Sequence, residues 1–186
     1  NVNGSGYAEG YNQTSQDVLI PAFIAAYSGK NSVTSTLNPL PKIPKPNWRI
    51  TYDGLSKIDA IKKYFKAFTL SNAYNSTYAV GGYTTNLLYK GNSDGFTDQK
   101  DTVSSIIDNP NFIPKNLFNT VTIVEQWRPL IKLDATLQNS LIVSIEYNKN
   151  RNLALGISSN TITEVSDREI VGRVGYRIKD LKINLK

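Results

Sequence analysis

The 186-residue sequence contains no cysteine, histidine or methionine. Without thiols or imidazoles, the chain forms no disulfides, thiolate nucleophiles or histidine bases, and it lacks the ligands of nearly all common zinc and iron sites. It also lacks a long apolar run, because the longest, Val18 to Tyr27, contains Pro21 and is far shorter than the roughly 20 residues of a membrane-spanning helix. No enzyme, catalytic residue, metal or cofactor is predicted.

The charge of the chain is positive but dispersed. The net charge is +6, and lysine and arginine are scattered through the sequence rather than gathered in one block. Scattered cations are typical of a solvated or lumenal surface, so nucleic acid is not expected as a partner. The basic and aromatic segment from Lys57 to Lys66 could bind nucleic acid or acidic lipid, but a connecting helix at a barrel rim is the favoured interpretation.

Residues 1–46 are interpreted as a connector or loop region with one apolar anchored segment. The connector ends in four prolines, at positions 39, 41, 44 and 46, which favour a stiff, extended lead-in to a strand. That strand begins near Trp48, because Trp48, Ile50 and Tyr52 alternate with polar residues. Residues 47–186 are expected to be mainly strands.

The pattern changes twice after the first strand. Apolar residues then recur at three- and four-residue spacing, which predicts one short helix near 56–66 capped by Ser56. From Ala67 to about Tyr89 the period returns to two, as in an unusually long strand. A polar segment at about 91–116 follows, and its length is typical of functional or extracellular loops.

The second half of the sequence is almost entirely strand-like. Apolar residues keep one parity from Val121 to Leu137 across Pro129, and again from Leu141 to Ile157 after a turn at residues 138–140. A second turn is predicted near Ser166 and Asp167, before a last strand, so about five strands are expected in all.

These strands fit a membrane wall better than a soluble sandwich. Soluble strands are commonly five or six residues long, whereas here the alternation continues for about fifteen. A barrel between lipid and water needs an aliphatic or aromatic outer face and tolerates a polar inner face. Five strands cannot close around a polar lumen, so neighbouring strands must come from elsewhere.

Parity assigns candidate functional residues to the two faces. Aromatic rings prefer the head-group level of a membrane, although some could simply pack on the sheet. The candidate lumen-facing residues are Arg128, Lys132, Ser144, Glu146, Asn148, Arg173 and Arg177, and the candidate interfacial aromatic residues are Trp48, Tyr74, Tyr78, Trp127 and Tyr176.

Two cations break the pattern. Lys149 and Arg151 fall on the apolar parity, where a cation at mid-bilayer costs about 2–4 kcal/mol. They should therefore lie at a membrane interface. The alternative is that residues 148–152 form a hairpin turn and divide the region into six shorter strands.

Six segments together resemble the SprA/Sov family, the outer-membrane translocon of type 9 secretion, a system linked to gliding motility. The resemblance spans most of the chain, and none of its segments is a catalytic signature. The segments are Asp17–Lys30, Pro46–Lys57, Ser71–Tyr83, Glu125–Ile131, Asn150–Leu155 and Val174–Lys179.

The resemblance implies an all-β chain that is a late section of a very large transmembrane antiparallel β-barrel in the bacterial outer membrane. It also implies that folded proteins are exported through this barrel. The implied partners are the remainder of the barrel, a smaller outer-membrane barrel capping a lateral opening, a periplasmic plug protein, exported cargo and lipid. Two alternatives stay open, namely another outer-membrane transporter or porin, and a secreted soluble β-domain that binds glycans.

Other motifs carry little weight. The glycines between Gly4 and Gly10 lack a preceding strand and the spacing of a dinucleotide loop. Asp94, Asp98 and Asp101 could bind calcium, but their spacing does not match the helix-loop-helix calcium pattern. Solvated loop carboxylates are the favoured interpretation.

Overall fold

The computed structural model describes residues 6–31, 46–94, 97–102 and 110–178. The fold is mostly β, in agreement with the sequence prediction, and its main sheet is antiparallel. Helix α1 is Gln16–Ser28 and helix α2 is Asp59–Lys62. The strands are β1 Trp48–Tyr52, β2 Phe65–Gly81, β3 Thr84–Thr85, β4 Asn116–Leu117, β5 Thr120–Leu137, β6 Leu141–Gly156 and β7 Thr161–Tyr176.

Five strands form the main sheet in the order β1-β2-β5-β6-β7, and β3 pairs with β4 in a second, two-stranded sheet. Strand β1 pairs with β2 in a register that runs from Trp48 opposite Tyr74 to Tyr52 opposite Leu70. The four long strands contain 16–18 residues each. Their length agrees with the extended alternation in the sequence.

The chain divides into two compact units. The described part of the first unit comprises residues 6–31, 78–94, 97–102, 110–123 and 153–164. The described part of the second unit comprises residues 46–77, 124–152 and 165–178.

The first unit is built around helix α1. The helix begins after Ser15 and ends at Gly29, whose φ of 67° lies in the left-handed region that glycine adopts without a steric penalty. One side of α1 packs against the ends of β5 and β6 in a buried cluster. The members of this cluster are Ile20, Phe23, Phe118, Val121, Ile123, Leu153, Leu155 and Ile157.

Helix α1 corrects the expectation of a connector or loop at residues 1–46. The apolar segment is anchored, but as a regular helix with a buried side. Gln16 fastens its start, because its side-chain amide donates to the Asn116 carbonyl at 2.6 Å and accepts from the Phe118 N–H at 3.3 Å. The proline-rich lead-in that was predicted before Trp48 falls largely on residues 32–45, outside the described residues.

In the second unit, the single helix predicted near 56–66 is wrong in its extent. The chain forms a 3₁₀ turn at Gly54–Lys57 and then the four-residue α2, with extended Ile58 between them. Phe65 already belongs to β2, where sheet pairing outweighs the helical spacing. Strand β2 also ends at Gly81 rather than near Tyr89.

The turn at residues 138–140 is confirmed, with Ser140 at a φ of 68°. The second turn was misplaced, because β6 ends at Gly156 and the chain turns at residues 157–160. Ser166 and Asp167 lie within β7. Residues 148–152 are continuous strand within β6, so the hairpin alternative is wrong. The main sheet has five strands, in agreement with the predicted number of about five.

Candidate functional site: the two faces of the second unit

The second unit carries a network of polar side chains on one face, here called the polar face. Arg128 of β5 donates from Nε to Asn150 Oδ1 of β6 at 3.1 Å, and Asn150 donates to Asp167 Oδ2 of β7 at 2.7 Å. Asn148, which is buried, donates to Glu146 at 3.0 Å and to Glu169 at 3.2 Å. The first group of hydrogen bonds links β5, β6 and β7, and the second links β6 and β7.

Ion pairs extend this network. Arg173 lies 3.4 Å from Glu146, and Lys132 lies 3.0 Å from Asp134. Because these pairs are partly exposed to solvent, each contributes at most about 1 kcal/mol to stability. Their main consequence is that the charged groups are held on a single face.

The structure thus brings together most of the candidate lumen-facing residues. Arg128 lies in the group of Asn150 and Asp167, and Glu146, Asn148 and Arg173 lie together in a second group with Glu169. Buried Ser144 shares the strand parity of Glu146 and Asn148. Lys132 is paired with Asp134, and the backbone N–H of Arg177 donates to the Ser140 carbonyl at 3.0 Å. Whether this face borders a lumen stays a prediction.

A shallow depression of about 440 Å³ lies where β1, β2 and β5 adjoin. Arg49, Asn75, Gln126 and Arg128 line it together with the small side chain of Ala73. Asn47, Trp48 and Tyr74 also border the depression. Two guanidinium groups and three amides therefore make it basic and rich in hydrogen-bond donors.

The opposite face of the second unit, here called the apolar face, exposes large apolar side chains. Ile170 and Val174 of β7 are 77% and 76% exposed, and Ile131 and Ile145 are each 51% exposed. Ile50, Tyr52 and Tyr176 are also more than half exposed. Exposed apolar side chains on several neighbouring strands mark a surface that meets lipid or another protein.

An aromatic cluster lies on the apolar face. The Tyr74 ring is 4.6 Å from Trp48 and 4.5 Å from Trp127, and the two tryptophan rings are 5.5 Å apart. The Tyr74 hydroxyl donates to Glu125 at 2.8 Å, and the Trp48 indole donates to Asn72 at 2.9 Å. Three of the five candidate interfacial aromatic residues are therefore in mutual contact.

The other two interfacial candidates lie elsewhere. Tyr176 is exposed at the end of β7. Tyr78 is partly buried against the core of the first unit, so the sheet-packing alternative describes it better.

Among the described residues, the main sheet has two outer strands, β1 and β7, each paired on one side only. All five residues of β1 are exposed, as are all residues of β7 except the half-buried Val171. Long exposed edges with apolar side chains are templates for pairing with further strands.

Sequence reasoning did not single out Asn150, Asp167 and Glu169, which connect β5, β6 and β7 through their side chains. Parity alone placed Asn150 on the polar side. The cross-strand partners depend on the register of β6 and β7, which was misjudged together with the second turn.

Within the described ranges, no helix has the length and apolar character needed to cross a membrane. The same ranges contain no group of three or more acidic residues able to hold a metal ion. Compared with protein-family models and with curated proteins, the chain matches none.

Proposed function

We propose that this chain is a section of the wall of an outer-membrane protein-conducting β-barrel that exports folded proteins. The observation that carries the proposal is the two-faced sheet of the second unit. One face holds a linked set of charged and amide side chains, and the other exposes isoleucine, valine and aromatic side chains. A wall between a hydrated lumen and lipid requires this arrangement.

The edges of the sheet support the same proposal. Strand β7 contains 16 residues, more than the roughly 9–11 that a tilted strand needs to cross a bilayer. In hydrocarbon, unpaired backbone groups cost several kcal/mol each, so β1 and β7 require partners from further strands. The proposal therefore includes the remainder of the barrel as the first partner.

In the first unit, aliphatic and phenylalanine side chains pack together in a buried core. The proposal consequently rests on the second unit, where large apolar groups are exposed instead of packed together. The export of folded cargo by type 9 secretion, with a capping barrel and a periplasmic plug as partners, rests on the resemblance of six sequence segments.

The rival functions are another outer-membrane transporter or porin and a soluble glycan-binding domain. Fractionation separates the soluble domain from the other two, because only a membrane wall requires detergent for extraction. Recovery of the intact protein in the aqueous fraction without detergent would contradict the proposal.

Conductance in planar bilayers tests whether the polar face borders a lumen. In the intact protein, Arg128→Glu and Arg177→Glu should shift the ion selectivity toward cations, because each replaces a positive charge beside the conducting path by a negative one. Lys62→Glu in α2 is the matched control, since it makes the same charge change at an exposed position outside the strands. Equal shifts for all three variants, or none, would count against a lumen on this face.

Passage of folded cargo separates a protein-conducting channel from a porin. A secreted reporter locked in its folded state by an internal cross-link should still leave the cell. Retention of the cross-linked reporter, with normal export of its uncross-linked form, would assign the chain to a narrower transporter.

A further inference from the structure

Two cations lie beside the aromatic cluster on the apolar face. Lys149 directly precedes Asn150 in β6, and Arg168 directly follows Asp167 in β7. The Asn150 and Asp167 side chains form a hydrogen bond of 2.7 Å between these strands. Side chains alternate along a strand, so Lys149 and Arg168 point to the opposite side from that polar pair. They are therefore neighbours on the apolar face.

The same contacts place these cations level with the aromatic cluster. Asn150 also accepts from Arg128, and Arg128 directly follows Trp127 in β5. Trp127 contacts Tyr74, which pairs with Trp48. A row of aromatic rings and cations thus crosses the sheet from β1 to β7, and it is here called the boundary row.

Two cations of the boundary row have no ion pair with an acid in the described part of the chain. Among the described residues, neither Lys149 nor Arg168 pairs with a carboxylate. Arg151 adds a third cation of the same parity. Glu125 accepts from the Tyr74 hydroxyl, and Glu164 lies four residues before Arg168 on the same strand parity.

We propose that the boundary row binds the phosphate head groups of anionic lipids, with Lys149 and Arg168 as the phosphate-binding residues. This inference rests on the proposed function, because it requires the apolar face to meet a bilayer. Phosphate oxygens match ammonium and guanidinium donors, and the acyl chains of the same lipid would cover exposed Ile145 and Ile170. A free phosphate ion would satisfy the cations alone and leave the apolar side chains uncovered.

The position of the row agrees with the energetics of a membrane wall. A cation on the lipid face costs about 2–4 kcal/mol at mid-bilayer and about 0–1 kcal/mol near the interface. Tryptophan and tyrosine prefer the same interfacial level. The boundary row therefore sets the height of the head groups on the sheet.

Insertion of the intact protein into lipid vesicles tests the inference. The wild-type chain should prefer vesicles that contain phosphatidylglycerol over vesicles of phosphatidylcholine alone. The double variant Lys149→Gln, Arg168→Gln should lose about 25-fold of that preference, since each cation near an anionic surface contributes about fivefold. Its binding to phosphatidylcholine vesicles should be unchanged.

Arg128→Gln is the matched control, because it removes a cation at the same level from the opposite face. It should leave the preference for anionic vesicles within about twofold of the wild type. A double variant that keeps the full preference, or a control that loses as much, would overturn the inference. Abolition of wild-type binding to anionic vesicles by millimolar inorganic phosphate at constant ionic strength would also overturn it, because the site would then recognise the free anion.

Failure of the inference is distinguishable from failure of the proposed function. If the intact protein enters neither kind of vesicle, the membrane wall itself is wrong. If it enters both kinds of vesicle equally well, the membrane wall is supported and the anionic-lipid site is refuted.

Fluorescence gives an independent readout, because the two tryptophans of the chain, Trp48 and Trp127, both lie in the boundary row. Brominated lipids should therefore quench both most strongly when the bromines lie near the head groups.

Discussion

Replacement of Ile170 by arginine separates a lipid-facing surface from a water-facing one. Ile170 is 77% exposed in β7, and the neighbouring Val171 points to the polar face at nearly the same height along the strand. In water, a substitution at so exposed a position changes the free energy of unfolding by about 0.5 kcal/mol or less. On the lipid face arginine costs about 0–1 kcal/mol near the interface and about 2–4 kcal/mol at mid-bilayer. Ile170 lies two residues beyond Arg168 of the boundary row, so an intermediate cost of about 1–3 kcal/mol is expected.

The expected cost corresponds to roughly a 5- to 150-fold fall in the ratio of folded to unfolded protein, at about 1.4 kcal/mol for each factor of ten. Urea unfolding of the membrane-embedded protein measures it. Val171→Arg is the matched control, and it should cost less than about 1 kcal/mol because its side chain reaches water. Equal free energies of unfolding for Ile170→Arg, Val171→Arg and the wild type would refute the assignment of the apolar face to lipid.

Three further predictions concern the first unit. Leu155→Ala should lower the free energy of unfolding by about 2–5 kcal/mol in a thermal melt, since Leu155 is 1% exposed in the core; a loss below 1 kcal/mol would contradict its packing. Gln16→Leu leaves the Phe118 N–H and the Asn116 carbonyl without their partner, so it should cost about 1–3 kcal/mol and speed hydrogen exchange of the Phe118 amide; unchanged exchange would argue against the contact. Burial raises the pKa of Asp17, so the folded state loses stability as the pH rises from the ordinary aspartate pKa through the raised one. Asp17→Asn should therefore raise the melting temperature at neutral pH and lose that advantage in acid, where both states are protonated; an advantage that persists in acid would refute the cause.

Strand alternation predicted the long strands of the second half because sheet pairing follows the same two-residue period. Strand β5 continues across Pro129, and β6 continues through Lys149 and Arg151. Lys149 and Arg151 occupy positions where the alternation predicts apolar residues, yet they do not end β6. The reason is that backbone hydrogen bonding does not depend on which side chain faces outward.

Helix α1 was missed because its sequence is apolar on most sides and contains Pro21. The polar stripe that reveals an amphipathic helix is weak there, although Ser15 and Gly29 bound it in sequence. The tertiary core of β5 and β6 residues that buries Ile20 and Phe23 has no local signal.

The second turn was misplaced for a related reason. Ser166 and Asp167 are common turn residues, but Asp167 is held in β7 by its hydrogen bond with Asn150 of β6. Such a contact depends on strand register, so parity could predict the two faces but not the cross-strand network within them. The aromatic cluster likewise needed the pairing of β1 with β2.

The absence of cysteine permits the most direct test of the two-faced wall. Single cysteines placed at Ile131, Lys132, Ile145 and Glu146 can be labelled in intact membranes with a water-soluble maleimide and with a lipid-soluble one. Positions 132 and 146 should react with the water-soluble reagent, and positions 131 and 145 only with the lipid-soluble reagent. Equal reaction of all four positions with the water-soluble maleimide would contradict a sheet that separates lipid from water.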